Sequence, residues 1–302
     1  MELNWLEDFL ALAEHRNFSR AAEARNVTQP AFSRRIRSLE NWVGTPLVLR
    51  SSQGVRLNAA GEVLRQGAAE LTRDLHRLRR GALKAAGRET AALTIAATHA
   101  LSFTFFPGWL RSFALLEELG TLNLVSDTMA ACERILLAGD ADFLLCHTRS
   151  DMPSDLAPDA FASVAVGNDV LVPVSAPDAT GAARWSLPGT STAPIRLLAY
   201  SKASGLGRIL DATWRSNVEA MWLDPVLTSP LAATLQTMAL QGQGLAWLPR
   251  TMVAEDLIAG RLVNAGDEDS AIALEIRLFR PLRQPSRAAM AFWRAVSKQA
   301  AL

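Results

Sequence analysis

Cysteine, histidine and lysine are scarce in this chain, and each scarcity removes a class of function. The two cysteines, Cys132 and Cys146, offer neither a disulfide framework nor a C-x-x-C pair. The four histidines, His15, His76, His99 and His147, are too scattered for a local metal motif. Only His99, His147 and Cys146 could converge, at strand ends, and no metal and no cofactor is expected. No G-x-S-x-G elbow occurs. Gly242-Gln243-Gly244-Leu245-Ala246-Trp247 lacks the third glycine of a dinucleotide fingerprint and leads into a strand-like run, so it reads as a turn. There is no apolar region behind a basic amino terminus and no apolar run of spanning length, so a cytoplasmic protein without a membrane partner is expected. Of 31 basic residues only Lys84, Lys202 and Lys298 are lysine. Any contact to phosphate or base would therefore be made mostly by guanidinium groups, which suit bidentate recognition.

The chain does have length and apolar content: 302 residues, 49% hydrophobic and 20% charged, enough for two or three folding units. Its net charge of +1 is unevenly spread. Residues 1–90 carry 15 basic and 10 acidic residues, hence +5, which leaves 16 and 20, hence −4, for residues 91–302. Within the basic part, FSRAAEARNVTQPAFSRRIRSLE (18–40) spaces two short helices around a tight turn. Thr28 can cap the second helix and Pro30 fits its first turn. Phe32, Ile36, Leu39 and Val43 form one apolar stripe, opposite Ser33, Arg34, Arg37 and Ser38, with Arg35 at the border. Such a helix suits a major groove, where arginine reads guanine bidentately. An ordinary solvated amphipathic helix has the same periodicity, and context decides between them. A helix with Trp5, Phe9, Leu12 and Ala13 precedes the motif, and PLVLRSSQGVRLN follows as a hairpin, a wing with Arg50 and Arg56 at its base.

From Asn58, a plausible cap, to about Ala86 there is no proline, and Leu64, Ala68, Leu71, Leu75, Leu78, Ala82 and Ala85 alternate spacings of three and four. That seam fits a long helix packing on a second copy, or else a core helix of the same subunit. After residues 87–90 the pattern turns to strands at 93–98, 122–126 and 141–147, with helices at 106–119 and 129–139 between them. A second unit follows from about Asn168, and IALEIRLF (272–279) leads back to a last helix near Ser286 to Lys298. The layout is an open, mostly parallel α/β one, in which ligands sit outside the carboxyl ends of strands. Two such units would face each other across a cleft, with hinges near Val164 to Gly167 and Asn264 to Asp267. Strand ends offer Thr98, His99, Ala100, Leu101 and Ser102, then Ser126, Asp127, Thr128, Cys146 and His147. The second unit offers Tyr200, Ser201, Lys202, Ser204, Thr228 and Ser229.

Trp5 to Gly61, with AAEARNVTQPAFSRRIRSLE, the wing and LNAAGE, resembles the winged helix-turn-helix of LysR-type transcriptional regulators, and length and layout extend the resemblance over the whole chain. It implies a winged helix-turn-helix domain (1–60), a linker and dimerisation helix (61–88) and a two-subdomain, periplasmic-binding-protein-like effector domain (91–302). Subdomain I would comprise 91–164 and 268–302, and subdomain II 165–267. The expected partners are double-stranded DNA, a small-molecule or oxidant effector, and further copies of the chain as homodimer or homotetramer. DNA contacts are expected from Ser19, Thr28, Gln29, Pro30, Ser33, Arg34, Arg37, Arg50 and Arg56. Effector contacts are expected from Thr98, His99, Ala100, Leu101, Ser102, Asp127, Cys146, Tyr200, Ser201, Ser204 and Thr228, and dimer contacts from Leu64, Leu71, Leu75 and Leu78. No catalytic residue is expected. The alternative is an α/β binding protein or enzyme whose amino-terminal module only assembles it.

ATHALSFTFFP, AYSKASGLGRIL, GQGLAWLP with GRLV, and AFWRAV further resemble the hypochlorite-responsive members of the family. Oxidation of methionine to sulfoxide is the switch that subfamily implies. Its functional methionines align with Phe113, Leu206 and Leu231 here, none of which carries sulfur. Direct capture of a small oxidant or anion near Thr98 to Ser102, chemistry at Cys146, Met129 or Met238, or an unrelated metabolite remain.

Overall fold

A computed structural model describes residues 2–51, 54–86, 91–113, 121–149, 156, 158–216, 221–282 and 285–300. The chain divides near Thr90 into two compact units. In the first, α1 (Leu3–His15), α2 (Phe18–Ala24) and α3 (Gln29–Val43) precede a hairpin of β1 (Val48–Ser51) and β2 (Gly54–Leu57), then the long α4 (Ala59–Ala85). Phe32, Ile36 and Leu39 of α3 are fully buried with Leu6, Phe9 and Leu12 of α1 and Ala21 and Ala22 of α2. Each large apolar side chain so buried contributes about 1.5–3 kcal/mol, and the stripe therefore fixes which face of α3 is left outward. Asn17 caps α2 by accepting from the amides of Ser19 and Arg20. Thr28 stands at the N-cap of α3 without a side-chain cap bond, contrary to the capping role expected of it. Gly44, at φ 85°, ends α3 in the left-handed region that glycine adopts without strain.

The hairpin is tied down by Val48 and Val55, both buried, and by the Val55 amide donating to the Arg16 carbonyl at 3.1 Å. Asn58 caps α4, accepting from the Gly61 amide at 2.8 Å. A side chain at Gly61 is excluded, because a Cβ there would lie 2.2 Å from the Leu47 carbonyl oxygen. The early part of α4 belongs to this unit: Ala68 is buried in its core and Leu64 packs against it. Leu64, expected at the dimer seam, is thus partly buried against the core of its own subunit. Leu71, Leu75 and Leu78, further along, are exposed at 44%, 38% and 70%.

The second unit begins with β3 (Ala91–Thr98), α5 (His99–Thr104), α6 (Phe106–Arg111), β4 (Thr121–Asp127), α7 (Met129–Ala138), β5 (Phe143–Thr148) and β6 (Phe161–Ser175). It continues with β7 (Ile195–Tyr200), α8 (Gly205–Ser216), β8 (Leu223–Ser229), α9 (Ala232–Leu240), β9 (Ala246–Pro249), α10 (Arg250–Ile258) and β10 (Val263–Asn264). β11 (Ile272–Pro281) and α11 (Arg287–Gln299) close it. The helix expected over 106–119 is described only to Arg111, and residues 114–120 lie outside the described residues. β3 pairs in parallel with β4 and β5, and β7 with β8. β11 is antiparallel to β5 and β6, and β6 to β9 and β10. The sheet is thus mixed rather than mostly parallel.

Two apolar cores share the strands β6 and β11. Ile272 and Leu274 of β11 belong to one core with Leu171, Val172 and Val174 of β6, whereas Ile276 and Leu278 belong to the other with Ile95, Phe143 and Phe292. A register shift at Ile276/Arg277, opposite Gly167 and Ala165, marks the passage from one core to the other. The return crossing therefore lies inside β11 and not at Asn264 to Asp267, where Asn264 pairs with Val174 well within the second half. A Cβ at Gly167, at the crossing, would come 2.8 Å from the Phe105 ring, which would then have to shift.

Candidate functional site

The first site is the outward face of α3. Pro30, Arg34 and Arg37 are exposed on the side opposite the buried stripe, with Thr28 and Gln29 at the amino end and Ser19 on α2. Ser33 is not part of that open face. It is buried at 8% exposure, its hydroxyl facing Gln29 Nε2 at 3.4 Å, and it flanks the core instead of offering its side chain outward. Arg56 on the wing is exposed, while the Arg50 side chain lies outside the described residues. Behind the face sits a clamp that the sequence did not signal. Asp8 of α1, fully buried, accepts from Arg25 Nε at 2.9 Å and Arg35 Nη1 at 3.2 Å. Arg25 also pairs with Glu7. Burial opposes the charge on Arg25, but its bonds to Asp8 and Glu7 outweigh that and raise its pKa. One buried carboxylate thereby ties α1 to α2 and α3 and fixes the angle at which α3 is presented.

The second site is a cleft between the two halves of the second unit, enclosing about 400 Å³ that is continuous with solvent. From the first half Thr98, His99, Ala100, Asp127, Thr128, Met129 and His147 line it, and from the second Tyr200, Ser204, Gly205, Leu206, Pro230 and Ala232. Of the residues expected to contact an effector, Thr98, His99, Ala100, Asp127, Tyr200 and Ser204 lie on this wall. Others belong elsewhere. Leu101 is fully buried in the apolar core. Ser102 bonds the His99 carbonyl at 2.7 Å and Ser126 Oγ at 2.8 Å, so its hydroxyl ties α5 to β4 and does not line the cleft. Thr228 is exposed away from the lining, and Ser201 lies behind it with its hydroxyl closed off from solvent. Cys146 is fully buried in β5, and burial pushes its thiol far up. Cys132 donates to the Ala97 carbonyl, and burial raises its pKa to about 12. Both thiols hold their protons, which makes them poor nucleophiles and poor ligands. Among the described residues, no cluster of side chains that could hold a metal is present.

Several contacts link the halves around the cleft. Glu133 of α7 receives two bonds from Arg208 Nη1 of α8, at 3.0 and 2.9 Å. The Ala130 amide reaches the Ala203 carbonyl at 3.3 Å, and Arg149 bonds Thr213 Oγ1. At the crossing of the strands His147 Nε2 lies 3.4 Å from Asp169 Oδ2, and Thr251 Oγ1 donates to that oxygen at 2.6 Å. Burial pushes the Asp169 carboxyl up, but bonds from His147, Thr251 and the Val170 amide together hold its pKa below the ordinary carboxylate range. Two cleft hydroxyls have no such partner: Thr98 Oγ1 and Tyr200 OH are closed off from solvent and unbonded among the described residues. The apolar lining residues Gly205, Leu206, Pro230 and Ala232 gave no sign in the sequence, since an apolar residue reads alike in a cleft wall and in a core.

Residues 3–62 match the family model "Bacterial regulatory helix-turn-helix protein, lysR family", and residues 86–301 match "LysR substrate binding domain". The HTH-type transcriptional regulator YjiE of Escherichia coli (strain K12) is 30% identical over 298 residues, covering 97% of this chain and 93% of that protein. The full-length structure of HypT from Salmonella typhimurium, a hypochlorite-specific LysR-type transcriptional regulator, is 29% identical with a TM-score of 0.59, over 100% of this chain and 99% of that one. Vibrio fischeri DarR, solved in complex with DNA, is 29% identical with a TM-score of 0.57, over 98% of each chain.

Proposed function

The chain belongs to the LysR family of bacterial transcriptional regulators, and from that premise we propose how its surfaces divide the work. It is a DNA-binding regulator with an effector-binding domain, not an enzyme, and its partners are DNA, a small effector and further copies of itself. Among the described residues no helix is long and apolar enough to cross a membrane. A protein that acts on promoter DNA works in the cytoplasm. We assign base reading to Arg34 and Arg37, positioning on the backbone to Arg56 and the amino end of α3, and dimer packing to Leu71, Leu75 and Leu78. Residues 1–60 form the DNA-binding domain, the remainder of α4 the linker, and 91–302 the effector domain. Leu78→Arg should yield smaller particles in sedimentation and weaker operator binding, and an unchanged particle size would remove Leu78 from the seam.

The observation that carries the sensing assignment is the cleft wall, drawn from both halves of the second unit and flanked by the bonds that join them. A ligand that touches both walls has different affinity for open and closed arrangements, and so shifts the balance between them. His147 lines this wall while bonding Asp169 on the second half, which places cleft occupancy next to the strand crossing. Reversible occupancy is the signal we propose, in preference to oxidation, because Phe113, Leu206 and Leu231 lack sulfur and both thiols are buried and protonated. Native mass spectrometry of the full-length protein from its own host tests this. A small molecule should be retained by the wild type and lost from Pro230→Trp, which narrows the cleft at its rim. Equal retention by both would place the effector elsewhere.

A further inference from the structure

The end of the chain carries charge of one sign. Residues 280–302 contain five basic residues, Arg280, Arg283, Arg287, Arg294 and Lys298, and no aspartate or glutamate, hence +5, as much as residues 1–90 carry in all. That leaves 11 basic and 20 acidic residues, hence −9, for residues 91–279. The second unit is therefore acidic except for its last segment.

The helix α11 sorts this charge onto one side. Ala289, Phe292 and Val296 are buried. At about 100° per residue, Arg287, Arg294 and Lys298 fall together on the opposite face, spread over about 16 Å of the helix axis. All three are exposed. Arg280, at the end of β11, adds a cation beside the helix, its guanidinium 4.9 Å from the centre of the Trp293 ring. Arg283 lies outside the described residues.

Helix stability does not account for this arrangement. Arg287 occupies the first turn, where the macrodipole disfavours a cation, and Arg294 and Lys298 form a like-charge pair at i and i+4. A solvated surface helix ordinarily offsets such charges with carboxylates three or four residues away, and α11 has none. Arg287, Arg294 and Lys298 make no side-chain hydrogen bond or ion pair among the described residues. The cations are thus placed at a local cost that an anion outside the fold would offset.

We propose that the outer face of α11 is a second contact to DNA, made to the phosphate backbone without regard to sequence. Guanidinium and ammonium groups free at the surface suit phosphate oxygens, and the helix has no acidic side chain to repel them. A stripe of three or four cations binds a polyanion weakly on its own. Of the polyanions, DNA is the one that the first unit already binds, so the contact is made within a complex that α3 has formed, at a raised effective concentration.

Salt titrations of the full-length protein on a selected operator and on scrambled DNA of equal length test this. Arg287→Gln, Arg294→Gln and Lys298→Gln together keep a good helix former at each position. They should lower the slope of log affinity against log salt by about 2.7, at about 0.9 for each phosphate. The loss should be equal on the two DNAs, leaving the specificity ratio as in the wild type. Arg287→Lys with Arg294→Lys keeps the charge and should keep the slope. A control with the same change in charge, Arg134→Gln, Arg184→Gln and Arg250→Gln, removes exposed cations elsewhere on the second unit and should also leave the slope in place. Circular dichroism checks the fold of each variant. A slope unmoved by the α11 triple variant would overturn the proposal, and so would an equal fall in the control, which would make the effect one of net charge. Smaller particles in sedimentation of the α11 variant would assign the stripe to packing between copies and overturn it as well.

Discussion

A buried aspartate in each unit, Asp8 in the first and Asp169 in the second, is satisfied by different means. Asp8 is held by Arg25 and Arg35, permanently charged groups within one short stretch of helices. Asp169 is held by a hydroxyl, an imidazole and two backbone amides, and its imidazole comes from the opposite half of a cleft. The guanidinium partners of Asp8 stay charged at any ordinary pH, and removing them leaves a buried charge unpaired. The Asp169 cluster draws its partners from both halves of the cleft. The first arrangement suits the DNA-reading face proposed for α3, and the second suits the sensing joint proposed at the strand crossing.

The largest effect is expected from breaking the rigid side of this comparison. Arg25→Ala with Arg35→Ala leaves Asp8 buried and unpaired, which should cost about 3–5 kcal/mol in stability of the first unit and abolish operator binding. Denaturant melts monitored through Trp5 and Trp42 measure it, and a loss below about 1 kcal/mol would show that the clamp is not what sets the helix angle.

Thr251→Ala attacks the Asp169 side and should cost about 1.5–3 kcal/mol at neutral pH, the range for a hydrogen bond to a charged group. The folded pKa of Asp169 lies below its unfolded value, so the charged form favours the fold. Its contribution is fully present above the ordinary carboxylate range, about pH 4, and is lost as the pH falls through the lowered folded value. The difference between wild type and Thr251→Ala should therefore shrink in acid. Thermal melts across the acid range check this, and a difference that stays constant with pH would exclude Asp169 as its source.

At the DNA face, Arg34→Ala or Arg37→Ala should each weaken specific binding by about 1–3 kcal/mol and relax the preference at one base position. Arg56→Ala should have the smallest effect, lowering affinity for all sequences alike and reducing the salt slope by about 1. A sequence-dependent loss at Arg56 would move the wing from positioning to reading.

The periodicity of 32, 36, 39 and 43 made the α3 stripe legible, because a helix that turns about 100° per residue leaves no other apolar face. The same geometry puts Ser33 about a quarter turn from the stripe's centre, which is why it reads as outward in a list of polar residues and packs as a flank. Asp8 was illegible: a carboxylate beside an apolar stripe looks solvated until Arg25 and Arg35 are seen to meet it. In the cleft, the rule that ligands sit at strand ends located Thr98, Asp127 and Tyr200, since β3, β4 and β7 end there. It could not separate Ala100 from Leu101, or Thr98 from Ser102, because each residue of the helix that follows Thr98 is turned about 100° from the last and only packing decides which face meets the core. Leu64 joined the seam on spacing alone, and the spacing is the same whether a leucine packs on its own subunit or on another.

The central claim is that specific DNA recognition resides in the guanidinium face of α3 of a LysR-type regulator. It is tested most directly by a competition footprint on an operator selected from random DNA with the full-length wild-type protein. The wild type should protect two half-sites against excess scrambled competitor, and the Arg34→Ala, Arg37→Ala double variant, folded and of unchanged size, should lose that protection while keeping salt-sensitive nonspecific binding. Equal protection by the two proteins would contradict the account.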